Sequence, residues 1–190
     1  MALARTDPHS TLHDELAGMG TTVTGLARVA FAGSDHWLVF NVGDSRVYRY
    51  AGGHIERLTI DHSEVEELVA AGEITREEAA HHPQSNIVTR SLGSEPAPQV
   101  DAWVFPVEGS DTFLLCSDGL TREVDEPSIA AILEADPEPQ RAADSLVRAA
   151  VEAGGSDNVT VIVVTVQSAD GVPSGPNGDT APRPTRSVGR

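Results

Sequence analysis

Residues 112–120 read Thr-Phe-Leu-Leu-Cys-Ser-Asp-Gly-Leu, an apolar run that climbs to Cys116 and breaks into Ser117-Asp118-Gly119. The break is ordinary turn chemistry, since glycine accepts conformations closed to other residues and aspartate bonds neighbouring backbone. The same arrangement occurs twice more. In WLVFNVGDSRVY, residues 37–48, Asp44 stands in a polar break between two strand-like runs. In GGSDNVTVIVVTV, residues 154–166, Asp157 precedes the most β-branched run of the chain. Three strands with an aspartate at one end ask for a common cause.

Working outward, TVTGLARVAF (22–31), HWLVFNVG (36–43), RVYRYA (46–51) and HIERL (54–58) are short strand-like runs broken by Gly, Ser and Asp. They predict an antiparallel meander, with Gly52-Gly53 as a hairpin turn. Ser63 with Glu66, and Thr75 with Glu78, have the spacing of capping boxes, so 61–90 reads as a polar, helical surface excursion. The strand-like QVDAWVFPV (99–107) follows, then TFLLCS (112–117). Helices are expected over EPSIAAILEA (126–135) and EPQRAADSLVRAAVEAG (138–154). In the second, Ala143, Leu146, Val147, Ala150 and Val151 recur at helical spacing and predict its buried face. NVTVIVVTV (158–166) is nearly continuous β-branched sequence and predicts a strand buried on both faces. Strands and helices are segregated rather than alternating, which predicts an α+β fold with mainly antiparallel sheet. Residues 1–18 read as a linker and helix remnant, 19–167 as the folded domain, and 168–190, rich in Gly, Pro and Ser, as a disordered tail.

The chain has 190 residues, 39% of them hydrophobic, enough for one domain with a real core. Its net charge of −16 argues against nucleic-acid or anionic-membrane partners, which bind through excess Lys and Arg. All 13 basic residues are arginine, so lysine chemistry is excluded. The single cysteine, Cys116, lies in an apolar run and reads as a small buried side chain rather than a nucleophile. No run approaches the ~18 apolar residues of a membrane span, and the first residues lack the apolar core of a secretory signal. A soluble cytoplasmic protein is the expectation.

Each aspartate has an ordinary reading of its own. The segment GDSR (43–46) can be a hairpin turn, SDGL (117–120) a helix N-cap, and GGSDN (154–158) a helix stop with Gly154 or Gly155 left-handed. Together they ask for more, because an unpaired buried carboxylate costs several kcal/mol. A hard divalent cation, taking oxygen ligands and keeping waters, is a sufficient reason. Trp37 and Trp103 fall in strand patterns and read as core or half-buried residues, and His81-His82 has no zinc-ligand spacing.

The motifs MGTT (19–22), NVGDSRVY (41–48), LTIDHS (58–63), TRSLG (89–93), DTFLLCSDGL (111–120) and GGSDNVTVIVV (154–164) stand in the order and spacing of one family. From Met19 to about Val166 the chain resembles the metal-dependent type 2C protein serine/threonine phosphatases (PPM family) of bacterial type. The resemblance implies a β-sandwich flanked by α-helices with a binuclear Mn²⁺ or Mg²⁺ centre at one end of the sheets. It implies that Asp118 and Asp157 are ligands of the catalytic metal pair, and Asp44 the ligand of a third metal that Asp118 shares. Thr59, Asp61, His62 and Ser63 match the start of the family's flap. The implied reaction is hydrolysis of phosphoserine and phosphothreonine on proteins by a metal-activated water. The implied partners are phosphorylated proteins, a Ser/Thr kinase or its targets among them.

Two departures modify that expectation. Family members carry an Asp-Gly-(Met or His)-Gly-Gly segment ahead of MGTT, whose aspartate bridges both metals. The 18 residues before Met19 contain no match, which predicts an N-terminally truncated domain of poor activity by itself. The alternative is an impaired remnant that binds a phosphoprotein or another chain. The second departure is Arg122, where an acidic residue often supports the third metal.

Overall fold

A computed structural model describes residues 20–79, 81–93, 97–107 and 111–166. The expected linker at 1–18 and tail at 168–190 lie outside the described residues. The elements run in the order β1 (Val23–Phe31), β2 (Ser34–Val42), β3 (Arg46–Ala51), β4 (His54–Arg57), α1 (Glu64–Ala70), α2 (Arg76–Ala79), β5 (Asp101–Pro106), β6 (Thr112–Cys116), α3 (Asp118–Thr121), α4 (Glu126–Ala135), α5 (Pro139–Ala153) and β7 (Val161–Thr165). The strands form two sheets, of order β1-β2-β5 and β4-β3-β6-β7, and every pairing is antiparallel.

The expected meander is corrected here. Strands β1 and β2 form one hairpin and β3 and β4 another, but the two hairpins belong to different sheets. Gly43-Asp44-Ser45 is therefore not a hairpin turn; it carries the chain from one sheet to the other. The Gly52-Gly53 turn joins β3 to β4 as expected, with both glycines at positive φ.

The apolar run that opens the sequence reading is the centre of the fold. Side chains alternate across a strand, so β6 sends Phe113 and Leu115 to one face and Leu114 and Cys116 to the other. The first pair packs with Trp37, Val39 and Val47 between the sheets, where the Trp37 and Phe113 rings meet edge to face at 5.1 Å. The second pair joins Tyr48, Leu120, Ile129, Leu133, Ala142, Leu146 and Ala150 under α4 and α5. Both faces of β6 are covered, which is why its sequence does not alternate. The result is an α+β sandwich with helices packed on the outer face of the second sheet.

Strand β7 does not have the predicted double burial. It lies at the margin of its sheet among the described residues, and Ile162 is 53% exposed. Its β-branched sequence reflects strand propensity, while burial is set by position in the sheet. The face of α5 is likewise rotated from the predicted one: Ala142, Leu146 and Ala150 are buried and Val151 is 60% exposed. Small alanines on a long helix leave the pattern ambiguous by one position, and packing against β6 and β7 decides it.

Candidate metal-binding site

Antiparallel register brings the three aspartates to one end of the second sheet. Arg46 of β3 is opposite Cys116 of β6, and Cys116 is opposite Val161 of β7. Asp44 precedes β3, Asp118 follows β6 and Asp157 precedes β7, so all three leave the sheet at the same edge.

Each is held by its own surroundings. The turn bearing Asp44 is fixed from several sides. Gly43 N–H donates to His62 Nδ1 at 3.0 Å, while Gly43 O accepts from His62 N–H at 2.9 Å and from Asn41 Nδ2 at 2.9 Å. Gly43 has φ +108°, and a Cβ there would lie 2.3 Å from Thr22 Cγ2, so glycine is required twice over. The Asp44 carboxyl is half-buried. Burial raises its pKa above the usual carboxylate range, and the neighbouring charge of Asp118 raises it further.

Ser117 precedes α3 at the N-cap position, but its side chain makes no cap hydrogen bond. Its hydroxyl donates to Asn158 O at 3.2 Å and accepts from Thr160 N–H at 3.0 Å, tying the end of β6 to the approach to β7. Gly119 lies against that same segment: a Cβ would come within 2.3 Å of Asn158 O. Gly155, at φ +59°, stops α5, as one of the two predicted glycines. Glu123 reaches across to accept from Ser156 N–H and Oγ, and Asn158 N–H donates to Asp157 Oδ1 at 2.7 Å.

Asp118 and Asp157 meet on one cation. The Arg122 guanidinium pairs through Nη2 with Asp118 Oδ2, one helical turn back, and through Nη1 with Asp157 Oδ2 at 3.0 Å. All three side chains are partly exposed. This donor set fits a hard divalent ion: two carboxylate oxygens already converge on one positive group, solvent is at hand for further ligands, and no sulfur is offered. Among the described residues no group of three or more His, Cys, Asp or Glu is placed to form a metal cage. The arrangement offers two carboxylates to a shared cation, with Asp44 at the same end of the sheet.

Asp61 and His62, which the sequence places at the start of the flap, make contacts that no sequence spacing indicates. Asp61 is 6% exposed and accepts from Arg46 Nε and Nη2, at 2.9 and 2.6 Å to Oδ2, with Arg57 at 3.6 Å. His62 Nδ1 accepts from Gly43 N–H, and its Nε2 lies between Asp101 Oδ2 at 3.2 Å and Arg90 Nη1 at 2.8 Å. Arg90 Nη1 lies 2.8 Å from Asp101 Oδ1. The matched segments GDSR and IDHS thus touch each other, and the excursion at 61–90 begins at the turn that bears Asp44. The signal was a shared motif pattern; the contacts themselves have no sequence spacing. Burial pushes the Cys116 thiol up to about 12, so it stays protonated and unreactive, as its sequence context predicts.

A two-sheet sandwich with carboxylates gathered at one end defines a class, and comparison with known proteins gives the family. Residues 4–152 match the family model described as Protein phosphatase 2C, and the chain belongs to that family. It is 43% identical over 150 residues to the serine/threonine phosphatase stp of Listeria monocytogenes serotype 4b (strain F2365), covering 79% of this chain and 58% of that protein. The chain thus spans 58% of the length of that curated relative. Among solved structures it resembles the PPM Ser-Thr phosphatase MsPP from Mycobacterium smegmatis in complex with cacodylate. That match has 43% identity and a TM-score of 0.72 over 84% of this chain and 67% of the other. The catalytic domain of serine threonine protein phosphatase PstP, in complex with 2 manganese ions, matches with 32% identity and a TM-score of 0.64, over 84% and 64% of the chains. No helix among the described residues is long and apolar enough to cross a membrane.

Proposed function

We propose that the protein hydrolyses phosphoserine and phosphothreonine on proteins, using Mn²⁺ or Mg²⁺ held by Asp118 and Asp157. The observation that carries this reading is the convergence of their Oδ2 atoms on one cationic group at the sheet end. Asp44, at the same end of the sheet, would offer a ligand to an additional metal together with Asp118. The similarity to PstP, whose structure contains manganese, supports the choice of ion.

The chain's own groups have distinct tasks. Asp118 and Asp157 fix positive charge at an edge where a protein of net charge −16 would otherwise repel a phosphate dianion. Ser117, Gly119 and Glu123 hold the two carboxylates at a set separation by tying α3 to residues 156–160. A bound divalent ion supplies Lewis acidity, lowering the pKa of water and neutralising phosphoryl charge. Cys116 is buried and protonated and so is unsuited to covalent attack, and the family resemblance implies water as the attacking group. The substrate is a phosphorylated protein, a Ser/Thr kinase or one of its targets, and the protein works in the cytoplasm.

The Arg122 clamp favours one other reading, a phosphatase-like module that binds phosphoprotein without turning it over. Hydrolysis of a phosphothreonine peptide separates them. Phosphate release that requires Mn²⁺, is abolished by chelation and falls at least about a hundredfold in Asp118→Asn supports the phosphatase. Peptide binding with no release at any Mn²⁺ concentration supports the binding module instead.

A further inference from the structure

We propose that Arg122 is a tethered counter-cation that holds the metal-free site together and must be displaced when a divalent ion binds. This rests on the metal reading of Asp118 and Asp157 and adds a competitor to it. The residue sits one turn along α3 from Asp118, and its two terminal nitrogens face one oxygen of each carboxylate. Its guanidinium therefore occupies the space in which a shared ion would be coordinated.

The charges explain why such a group is needed. Asp44, Asp118 and Asp157 are brought to one end of the sheet by register, and the carboxylates of Asp118 and Asp157 close on the same guanidinium. Without a cation, like charges would push α3 and the 156–158 segment apart. Among the described residues these segments are tied by Ser117 to Asn158 and Thr160 through both its hydroxyl and its backbone N–H, by Glu123 to Ser156, and by the Arg122 bridge. Arg122 is the cationic one. It offsets one of the two negative charges it faces, so a doubly charged ion is still attracted. That ion must nevertheless break both pairs to take both oxygens. Arginine is suited to this role, because its planar fork addresses two carboxylates at once and stays charged at all working pH.

The consequence is a metal affinity set below what the carboxylates alone would give, coupled to a stable metal-free state. The cost of breaking partly exposed pairs implies that Arg122→Ala binds Mn²⁺ about threefold to tenfold more tightly. The same variant should melt lower than the parent in chelator and regain stability on adding Mn²⁺. Isothermal calorimetry with Mn²⁺, and melting with and without it, on the parent, Arg122→Ala and Arg122→Gln would read both effects. Arg122→Gln keeps the length and polarity of the side chain, so the comparison survives if the alanine variant folds poorly.

Tighter Mn²⁺ binding together with a lower metal-free melting temperature in either variant supports the proposal. Equal or weaker binding in the variants, with the parent binding normally, overturns it while leaving Asp118 and Asp157 as ligands. Absence of Mn²⁺ binding in the parent and both variants overturns the metal reading and this inference together.

Discussion

Asp61 shows how a residue outside the reacting groups sustains the site. Its buried carboxylate takes both donors of the Arg46 edge and faces Arg57 at 3.6 Å, joining the start of β3 to the residues after β4. Removing one partner of a buried pair leaves the other charge uncompensated, which costs about 3–5 kcal/mol. Asp61→Asn is therefore expected to lower unfolding free energy in urea by several times the effect of losing an exposed pair such as Arg28–Asp35. A loss no larger than that of Asp35→Asn would show that Arg46 is satisfied without Asp61. At this scale identities are legible in the sequence and contacts are not. Asp44, Asp118 and Asp157 stand out as strand-end carboxylates, and the structure gathers them. Arg122 looked only like a missing acidic residue; that it touches both other aspartates depends on the turn of α3 meeting the 156–158 segment, a relation between residues 35 apart in sequence.

Among the elements, α1 behaves as an anchored rather than a loose segment. Ser63 caps it by accepting from Glu66 N–H, as the capping-box spacing predicts, and Thr75 with Glu78 forms the reciprocal pair ahead of α2. Glu66 then binds Arg57 and Arg76. Burial alone would raise the Glu66 pKa, but hydrogen bonds and charge from Arg76 and Arg57 outweigh it and leave it lowered. Asp101 is lowered too: burial raises it, and His62 and Arg90 more than compensate. A carboxylate whose folded pKa is depressed contributes stability above its unfolded pKa and loses it as pH falls through the folded value. Anchoring of the 61–90 excursion should accordingly weaken on acidification below the usual carboxylate range, with Glu66→Gln weakening it already at neutral pH. Amide exchange, corrected for its intrinsic pH dependence, should show protection at 64–70 falling before protection at 112–116. Parallel loss in the two segments would contradict this.

The elements also show where sequence patterns stop. Strand β6 could be recognised from a continuous apolar run because both of its faces are covered. The similar run in β7 misled, since β-branching reports a preference for extended backbone while burial depends on which neighbours the sheet supplies. The buried face of α5 lies one position from the face its apolar spacing predicts, because alanine contributes little to periodicity. The switch between sheets at 43–45 was invisible for another reason: a turn that crosses between layers and a turn that closes a hairpin use the same small residues.

For the whole molecule, a net charge of −16 and a carboxylate cluster at one end of the sheets would repel a phosphate dianion, and the proposed bound cations would offset that repulsion. The fold supplies the geometry: two antiparallel sheets, helices on one outer face, and a common edge for three strand ends. Membership of the Protein phosphatase 2C family puts the chain in a phosphatase lineage. The central claim is that Asp118 and Asp157 share a divalent ion. Its most direct test is Mn²⁺ titration by calorimetry of the parent and the Asp118→Asn/Asp157→Asn double variant, with circular dichroism recorded on both. The account predicts that the double variant keeps its far-ultraviolet spectrum and loses measurable Mn²⁺ binding; Mn²⁺ affinity equal to the parent's, in a folded double variant, would contradict it.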